Sequence, residues 1–125
     1  MKNWKDFARL AAYLVQNADA SGTPEAARRS AVSRVYYAAF CLLRDFAQAH
    51  WNFEPTGHSD DHARLRNLLK QRKQHDLATI LSDLQMWRES CDYILTLDGL
   101  GALYEEAEKE AQAIFSYLDR CQGRR

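Results

Sequence analysis

A long uninterrupted helix-forming segment constrains this fold most, because residues 25–54 contain neither glycine nor proline. Thr23, Pro24 and Glu25 form a helix start at the N-terminal end of this segment. Threonine is a capping residue, proline suits the first helical position, and an acidic residue there interacts favourably with the helix dipole. Apolar residues cover more than one side of the segment. We therefore predict a central helix that runs to about Trp51 and contacts neighbours on several sides, with Tyr36 and Phe40 in the core.

The rest of the chain also divides into segments with helical periodicity, separated by short polar or glycine-containing turns. Asn3 is the predicted cap of a first helix, and Ser59 that of a short third one. A fourth helix carries apolar residues from Leu77 to Leu95 and ends at residues 98–101. No segment alternates in the manner of a strand. We predict one domain over residues 1–125, an all-α up-and-down bundle of four to five helices.

The charge balance limits the classes of partner. The 17 Lys and Arg residues equal the 17 Asp and Glu residues, and the pI is about 6.9. This excludes a protein that binds nucleic acid through overall positive charge. The charges are unevenly distributed, however, with a basic segment over residues 64–73 and an acidic face on the last helix. Any binding of RNA must therefore depend on local geometry.

The cysteine and histidine pattern indicates neither a disulfide framework nor a metal site. Cys41, Cys91 and Cys121 are far apart and form no Cys-x-x-Cys pair. His58 and His62 are four residues apart with aspartates between them, but no third ligand is evident. We expect no metal and no cofactor. The N-terminal residues lack an apolar signal segment and no apolar run would span a bilayer, so we expect a cytoplasmic protein without membrane contact.

Three stretches resemble one known family. Residues 29–40 read RSAVSRVYYAAF, residues 57–58 are Gly-His before an Arg-Leu-Arg helix, and residues 88–93 read RESCDY. Together they resemble the HEPN (higher eukaryotes and prokaryotes nucleotide-binding) domains, with Cys91 where that family has alanine. The resemblance implies a four- to five-helix bundle, usually a homodimer, whose paired long helices form a cleft for nucleotides or RNA.

The resemblance also implies catalytic candidates. Many HEPN proteins are metal-independent endoribonucleases with an Arg-x(4–6)-His motif, but no histidine follows Arg88 in this chain. Asp92 and Tyr93 stand there instead, so Arg88, Asp92 and Tyr93 are the catalytic candidates. Arginine holds phosphate well, whereas an ordinary carboxylate is a weak base near neutral pH. The alternative is a structural ion pair between Arg88 and Asp92, four residues apart on one helix.

Candidate binding residues lie on two predicted helix faces. One face of the central helix and one side of the basic segment hold the candidate RNA- or nucleotide-binding residues Arg34, Tyr37, Arg44, Arg66, Lys70 and Lys73. Arginine and tyrosine suit contacts with phosphates and bases. The alternatives are a solvated face and, for the basic segment, a docking surface for the acidic helix of a second copy or a partner.

Three functions remain as hypotheses. The first is a HEPN-type homodimer that binds or cleaves RNA or nucleotides in a toxin–antitoxin or phage-defence system. The second is a non-catalytic helical module that partners a minimal nucleotidyltransferase, a toxin or an antitoxin, and the missing histidine favours it. The third is a nucleotide sensor.

Overall fold

The computed structural model describes residues 3–123, and all regular structure in this range is helical. The predicted domain, residues 1–125, extends two residues beyond this range at each end. The five α-helices are α1 (Lys5–Gln16), α2 (Pro24–His50), α3 (Asp61–Gln71), α4 (His75–Tyr93) and α5 (Leu100–Gly123), with a 3₁₀ turn at Asp19–Ser21. The all-α prediction is confirmed.

Helix α2 is the centre of the bundle, as predicted, because it packs against α1, α4 and α5. It begins at Pro24 after Thr23, where the sequence placed the start. Its largest fully buried side chains are Tyr36, Leu43, Val32 and Val35. Phe40 is also buried, so the assignment of Tyr36 and Phe40 to the core is confirmed.

Side-chain hydrogen bonds fix which helix ends are neighbours. Trp4 Nε1 donates to Asp45 Oδ2 at 2.6 Å, which places the start of α1 beside the last turns of α2. Lys5 Nζ lies 3.2 Å from Asp119 Oδ1 near the end of α5. No helix within residues 3–123 is long and apolar enough to cross a membrane.

The prediction for the end of α4 was wrong. The helix ends at Tyr93, Ile94 adopts an extended conformation, and Leu95 is 92% exposed instead of lying on the buried face. The cause is a contact with Arg29 on α2, which precedes Cys91 by 62 residues in the chain. Its guanidinium donates to the carbonyl oxygens of Cys91 and Ile94 at 2.7 Å and of Leu95 at 3.2 Å. These bonds satisfy carbonyls at the end of α4 and hold the chain in its turn away from the helix.

Helix α3 begins at Asp61 with Asp60 as its N-cap residue, one residue later than the predicted Ser59 cap. The Asp61 carboxylate accepts hydrogen bonds from the backbone N–H groups of Thr56 and Gly57 and from the Thr56 hydroxyl, and it pairs with Arg64 at 2.8 Å. Burial alone would raise the pKa of this carboxyl, but the hydrogen bonds from Thr56, Gly57 and Arg64 hold it well below its ordinary value. Asp61 thereby fixes the loop that leads into α3.

Candidate functional site

Arg88 on α4 faces α2 and connects several of the residues that the sequence singled out. Its Nη1 donates a 2.7 Å hydrogen bond to the Tyr37 hydroxyl and lies 3.5 Å from Asp92 Oδ2. The guanidinium carbon is 5.3 Å from the centre of the Tyr37 ring and 5.8 Å from that of Tyr36. The Arg88–Asp92 ion pair expected from spacing is present, and Arg88 also binds across to α2.

The Nε atom of Arg88 is buried and has no hydrogen-bond acceptor among the described residues. The side chain is 17% exposed, and its Nε–H makes no hydrogen bond to any described residue. A buried unsatisfied donor costs about 1–3 kcal/mol, so native proteins hold few of them. A buried polar group without a partner calls for an explanation, and a functional role is one of those that apply to native proteins.

A cleft of about 400 Å³ lies between α2 and α4 on this side of the bundle, with one residue contributed by α1. Its lining residues are Phe7, Ala26, Arg29, Ser30, Ser33, Arg34, Tyr37, Cys91 and Asp92. Two arginines and three hydroxyl groups therefore face one space. The arrangement offers donors for an anionic ligand.

The two arginines of the cleft differ in whether their guanidinium groups already bind other groups of the protein. Arg29 pairs with Glu25 at 3.1 Å and binds the carbonyls at the end of α4, so its charge and donors serve the fold. Arg34 is exposed and forms no hydrogen bond or ion pair with any residue of the range 3–123. Arg34 is therefore the guanidinium that a ligand could bind without breaking an internal contact.

A second cluster adjoins Arg88 and centres on His62, in the first turn of α3. The imidazole stacks on Phe40, with 4.1 Å between ring centres, and on Tyr36 at 5.6 Å. Its Nδ1 forms a hydrogen bond with the Tyr36 hydroxyl. Aromatic contact and the hydrogen bond together fix the orientation of the ring.

Two arginines and two carboxylates influence the pKa of His62. Burial lowers the pKa of His62, and the guanidinium groups of Arg88 and Arg66 lower it further, whereas Asp61 and Glu89 partly oppose this effect. Arg66 Nη1 donates to Gln85 Oε1, and Arg66 forms no ion pair with any described residue. Burial raises the pKa of Tyr36, so its hydroxyl keeps its proton near neutral pH.

The other predicted site residues are more scattered. Tyr93 is 78% exposed and makes no hydrogen bond or ring contact within the described range. It is five residues from Arg88, which is about 140° around the helix. Arg44 donates to Asp45 and lies over Trp4, outside the cleft lining. Lys70 and Lys73 are exposed, and Lys73 follows the end of α3 with a φ of 61°.

Sequence reasoning missed His62, which it read as part of an aspartate-rich helix start. A signal was present, because His62, Leu65 and Leu69 follow the spacing of three and four residues that marks one helix face. Leu65 and Leu69 are fully buried, and His62 lies at the edge of the same face. This pattern would have placed the imidazole against the core.

The described residues contain no group of three or more His, Cys, Asp or Glu side chains that could hold a metal ion. Cys41 and Cys91 are buried and Cys121 is partly exposed, and none of the three forms a disulfide within the described range. Comparisons with family models, with curated proteins and with solved structures each found no match to this chain.

Proposed function

We propose that this chain is a HEPN-type cytoplasmic protein that binds RNA or a nucleotide through its phosphate groups in the cleft between α2 and α4. The proposal includes an up-and-down bundle that pairs as a homodimer. One observation carries it: Arg88 is held by the Tyr37 hydroxyl and the Asp92 carboxylate beside a cleft at which Arg34 makes no hydrogen bond or ion pair with a described residue.

The dimensions and donors of the cleft suit a nucleotide unit. Its volume of about 400 Å³ lies within the roughly 300–1,000 Å³ of small-molecule sites. A planar guanidinium matches two phosphate oxygens at once, which makes Arg34 the first candidate for direct contact. The Ser30 and Ser33 hydroxyls line the same wall and can donate to phosphate or sugar oxygens.

Local charge supports an anionic ligand despite the zero net charge of the chain. Arg29 and Arg88 are paired with carboxylates, but Arg34 and Arg66 form no ion pair within residues 3–123. Two guanidinium groups therefore remain uncompensated on this side of the bundle. Because few phosphates would be neutralised, we expect moderate affinity that falls as salt concentration rises.

Fluorescence anisotropy with labelled single-stranded RNA tests this proposal. Arg34→Gln is the principal variant, because Arg34 is exposed and its side chain makes no hydrogen bond or ion pair with the residues that the structure describes. Arg9→Gln is the matched control, since Arg9 is an exposed arginine that pairs with Asp6 and does not line the cleft. We expect Arg34→Gln to weaken binding about tenfold, as loss of a charge-assisted hydrogen bond predicts, and Arg9→Gln to leave it unchanged. Equal effects of the two variants, or no binding by the wild type, would contradict the proposal.

A second candidate function, a non-catalytic partner of a nucleotidyltransferase, toxin or antitoxin, is supported by the segment at the end of α4. Tyr93, Ile94 and Leu95 are consecutive apolar residues exposed to solvent. Exposed apolar patches often mark protein interaction sites. This function predicts that the protein co-purifies with the product of an adjacent gene, that Leu95→Ser abolishes the complex, and that the isolated chain binds no RNA.

A further inference from the structure

The exit segment, residues 93–96, carries the chain out of α4 and lies open to solvent. Ile94 has extended backbone dihedrals and is 46% exposed, and Leu95 is 92% exposed. Arg29 binds the carbonyl oxygens of both residues, which holds the segment in place. The backbone N–H groups of Leu95 and Thr96 and the Thr96 carbonyl make no hydrogen bond with a described residue. The exit segment therefore presents apolar side chains and open backbone groups on a stretch of chain that is held in place.

The α3 cleft has a volume of about 410 Å³ and lies between α3 and the loop after α2. Trp51, Phe53 and Leu68 give it an apolar surface. Asn67 and Gln71, both exposed, also line it, and their side-chain amides make no hydrogen bond with a described residue. It shares no described lining residue with the cleft between α2 and α4. The α3 cleft is therefore a separate site in which amide groups lie beside apolar side chains.

The amides of Asn67 and Gln71 are spaced for an extended peptide. The two residues are four apart on α3, so they share a face and lie about 6 Å apart along the helix. Peptide groups on one edge of an extended chain repeat about every 6.6 Å. A side-chain amide has both donors and an acceptor, as a peptide group has. Asn67 and Gln71 can therefore bind successive peptide groups of one extended chain.

The charges beside the exit segment and beside the α3 cleft are complementary. Three exposed basic residues at the end of α3 form no ion pair with a described residue: Lys70, Arg72 and Lys73. Glu54 is the one carboxylate among the described residues that line the cleft. Asp98 and Glu105, which follow the exit segment, are exposed and likewise form no ion pair within residues 3–123. Unpaired acidic groups thus accompany the exit segment, and unpaired basic groups accompany the cleft.

The exit segment cannot reach the α3 cleft of its own chain. It is bound by Arg29 near the start of α2, whereas the cleft adjoins Trp51 at the end of that helix. From Arg29 to His50 the helix spans about 30 Å. If two copies lie with their α2 helices antiparallel, each exit segment comes beside the cleft of the other copy. A twofold axis then relates two identical contacts, as in most dimers of identical chains.

We propose that the exit segment of one copy docks in the α3 cleft of a second copy, with Leu95 packed against Trp51 and Leu68. The inference rests on the homodimer included in the proposed function, and it names the contact that forms this dimer. Neither the exit segment nor the α3 cleft contributes a residue to the lining of the cleft between α2 and α4. The dimer therefore leaves that cleft open to a ligand.

Sedimentation velocity over a range of protein concentrations measures the dissociation constant of the dimer. Leu95→Ser should raise it at least about 100-fold, because each dimer loses two buried leucines and each is worth about a factor of ten or more. Met86→Ser is the matched control, since Met86 is an apolar residue of α4 that is 55% exposed and lies outside both surfaces. It should leave the dissociation constant unchanged. Melting temperatures check that both variants fold.

Exchange of charge between the two surfaces tests whether they face each other. One variant combines Lys70→Glu with Lys73→Glu, and the other combines Asp98→Lys with Glu105→Lys. Each alone places like charges at both contacts, so its dissociation constant should rise at least about tenfold. In an equimolar mixture every contact joins opposite charges, and the two variants should form a mixed dimer with nearly the affinity of the wild type.

The outcomes distinguish this contact from the function on which it rests. A dimer that Leu95→Ser does not weaken, or variants that fail to pair when mixed, would overturn the contact and leave the homodimer standing. A wild type that stays monomeric would overturn both and would leave the exit segment to a partner of another sequence. No RNA is present in these experiments, so the anisotropy assay tests RNA binding independently of them.

Discussion

The Nη1 atom of Arg88 on α4 donates a 2.7 Å hydrogen bond to the hydroxyl of Tyr37 on α2, 51 residues earlier in the chain. Tyr37 also lines the cleft between these helices. The bond therefore joins the two walls of the candidate site through two residues that the sequence had singled out separately. It orients a guanidinium whose Nε–H is buried without a partner in the described chain.

Removing the hydroxyl of this bond should lower stability. We expect Tyr37→Phe to reduce the free energy of unfolding by about 1.5–3 kcal/mol, the usual contribution of a hydrogen bond to a charged group. Urea denaturation measures this change. Tyr13→Phe is the control, because Tyr13 is an exposed tyrosine on α1 whose hydroxyl makes no hydrogen bond within the described residues. A loss for Tyr37→Phe no larger than for the control would show that the bond contributes nothing.

The contact between Arg29 and the end of α4 predicts a local effect. Arg29→Gln removes donors to three carbonyls and should destabilise the protein by about 2–3 kcal/mol. Amide hydrogen exchange should accelerate in residues 91–97 more than in α5. Arg28→Gln is the matched control, since Arg28 is the neighbouring arginine and its one ion pair within the described range is with the exposed Asp19. Unchanged exchange in residues 91–97 of Arg29→Gln would contradict this account of the helix end.

Asp61 predicts a loss of stability in acid. Its pKa in the folded protein lies below that of the unfolded chain, so its contribution is present above about pH 4 and is lost as the pH falls toward the folded value. Asp61→Asn should lower the melting temperature at pH 7 and reduce its fall between pH 5 and pH 2. Asp60→Asn should do neither, because Asp60 is exposed and its side chain binds no described residue. Parallel pH profiles for wild type and Asp61→Asn would refute this prediction.

His62 should titrate below the ordinary histidine value of about 6.5. NMR titration of the four histidine rings measures this pKa without any assay of activity. Because Arg66 lowers the pKa of His62 and Glu89 raises it, Arg66→Gln should move it upward and Glu89→Gln downward. Stability linked to His62 should decrease as the pH falls below 6.5, since the unfolded chain then binds more protons. If the pKa of His62 were not lowered and did not change in either variant, the ring would not be in this electrostatic environment.

Sequence analysis predicted the helices where the signals were local. Thr23, Pro24 and Glu25 marked the start of α2, and the breadth of its apolar surface indicated its central place. The end of α4 could not be predicted in this way, because the carbonyls there are bound by Arg29, which is distant in the chain. Local apolar spacing continued to Leu95, but the backbone left the helix after Tyr93.

The candidate site was predictable in part. Spacing alone placed Asp92 beside Arg88, since residues four apart share a helix face. The contacts of Arg88 with Tyr37, and of His62 with Tyr36, join different helices and depend on how the bundle packs. Tyr93 was predicted as a site residue because of its position in a motif. In the structure its side chain is exposed and points in a different direction around α4 from that of Arg88.

NMR mapping of the binding surface tests the central claim most directly. Single-stranded RNA would be added to the isotope-labelled protein, and shifts of the backbone amide signals would be followed. We predict the largest shifts at cleft residues, with Ser30, Ser33, Arg34 and Tyr37 foremost. A second groove of about 310 Å³ between α1 and α5, lined in part by Lys5 and Arg9, provides an internal comparison. Shifts confined to that groove, or no shifts at all, would contradict the account.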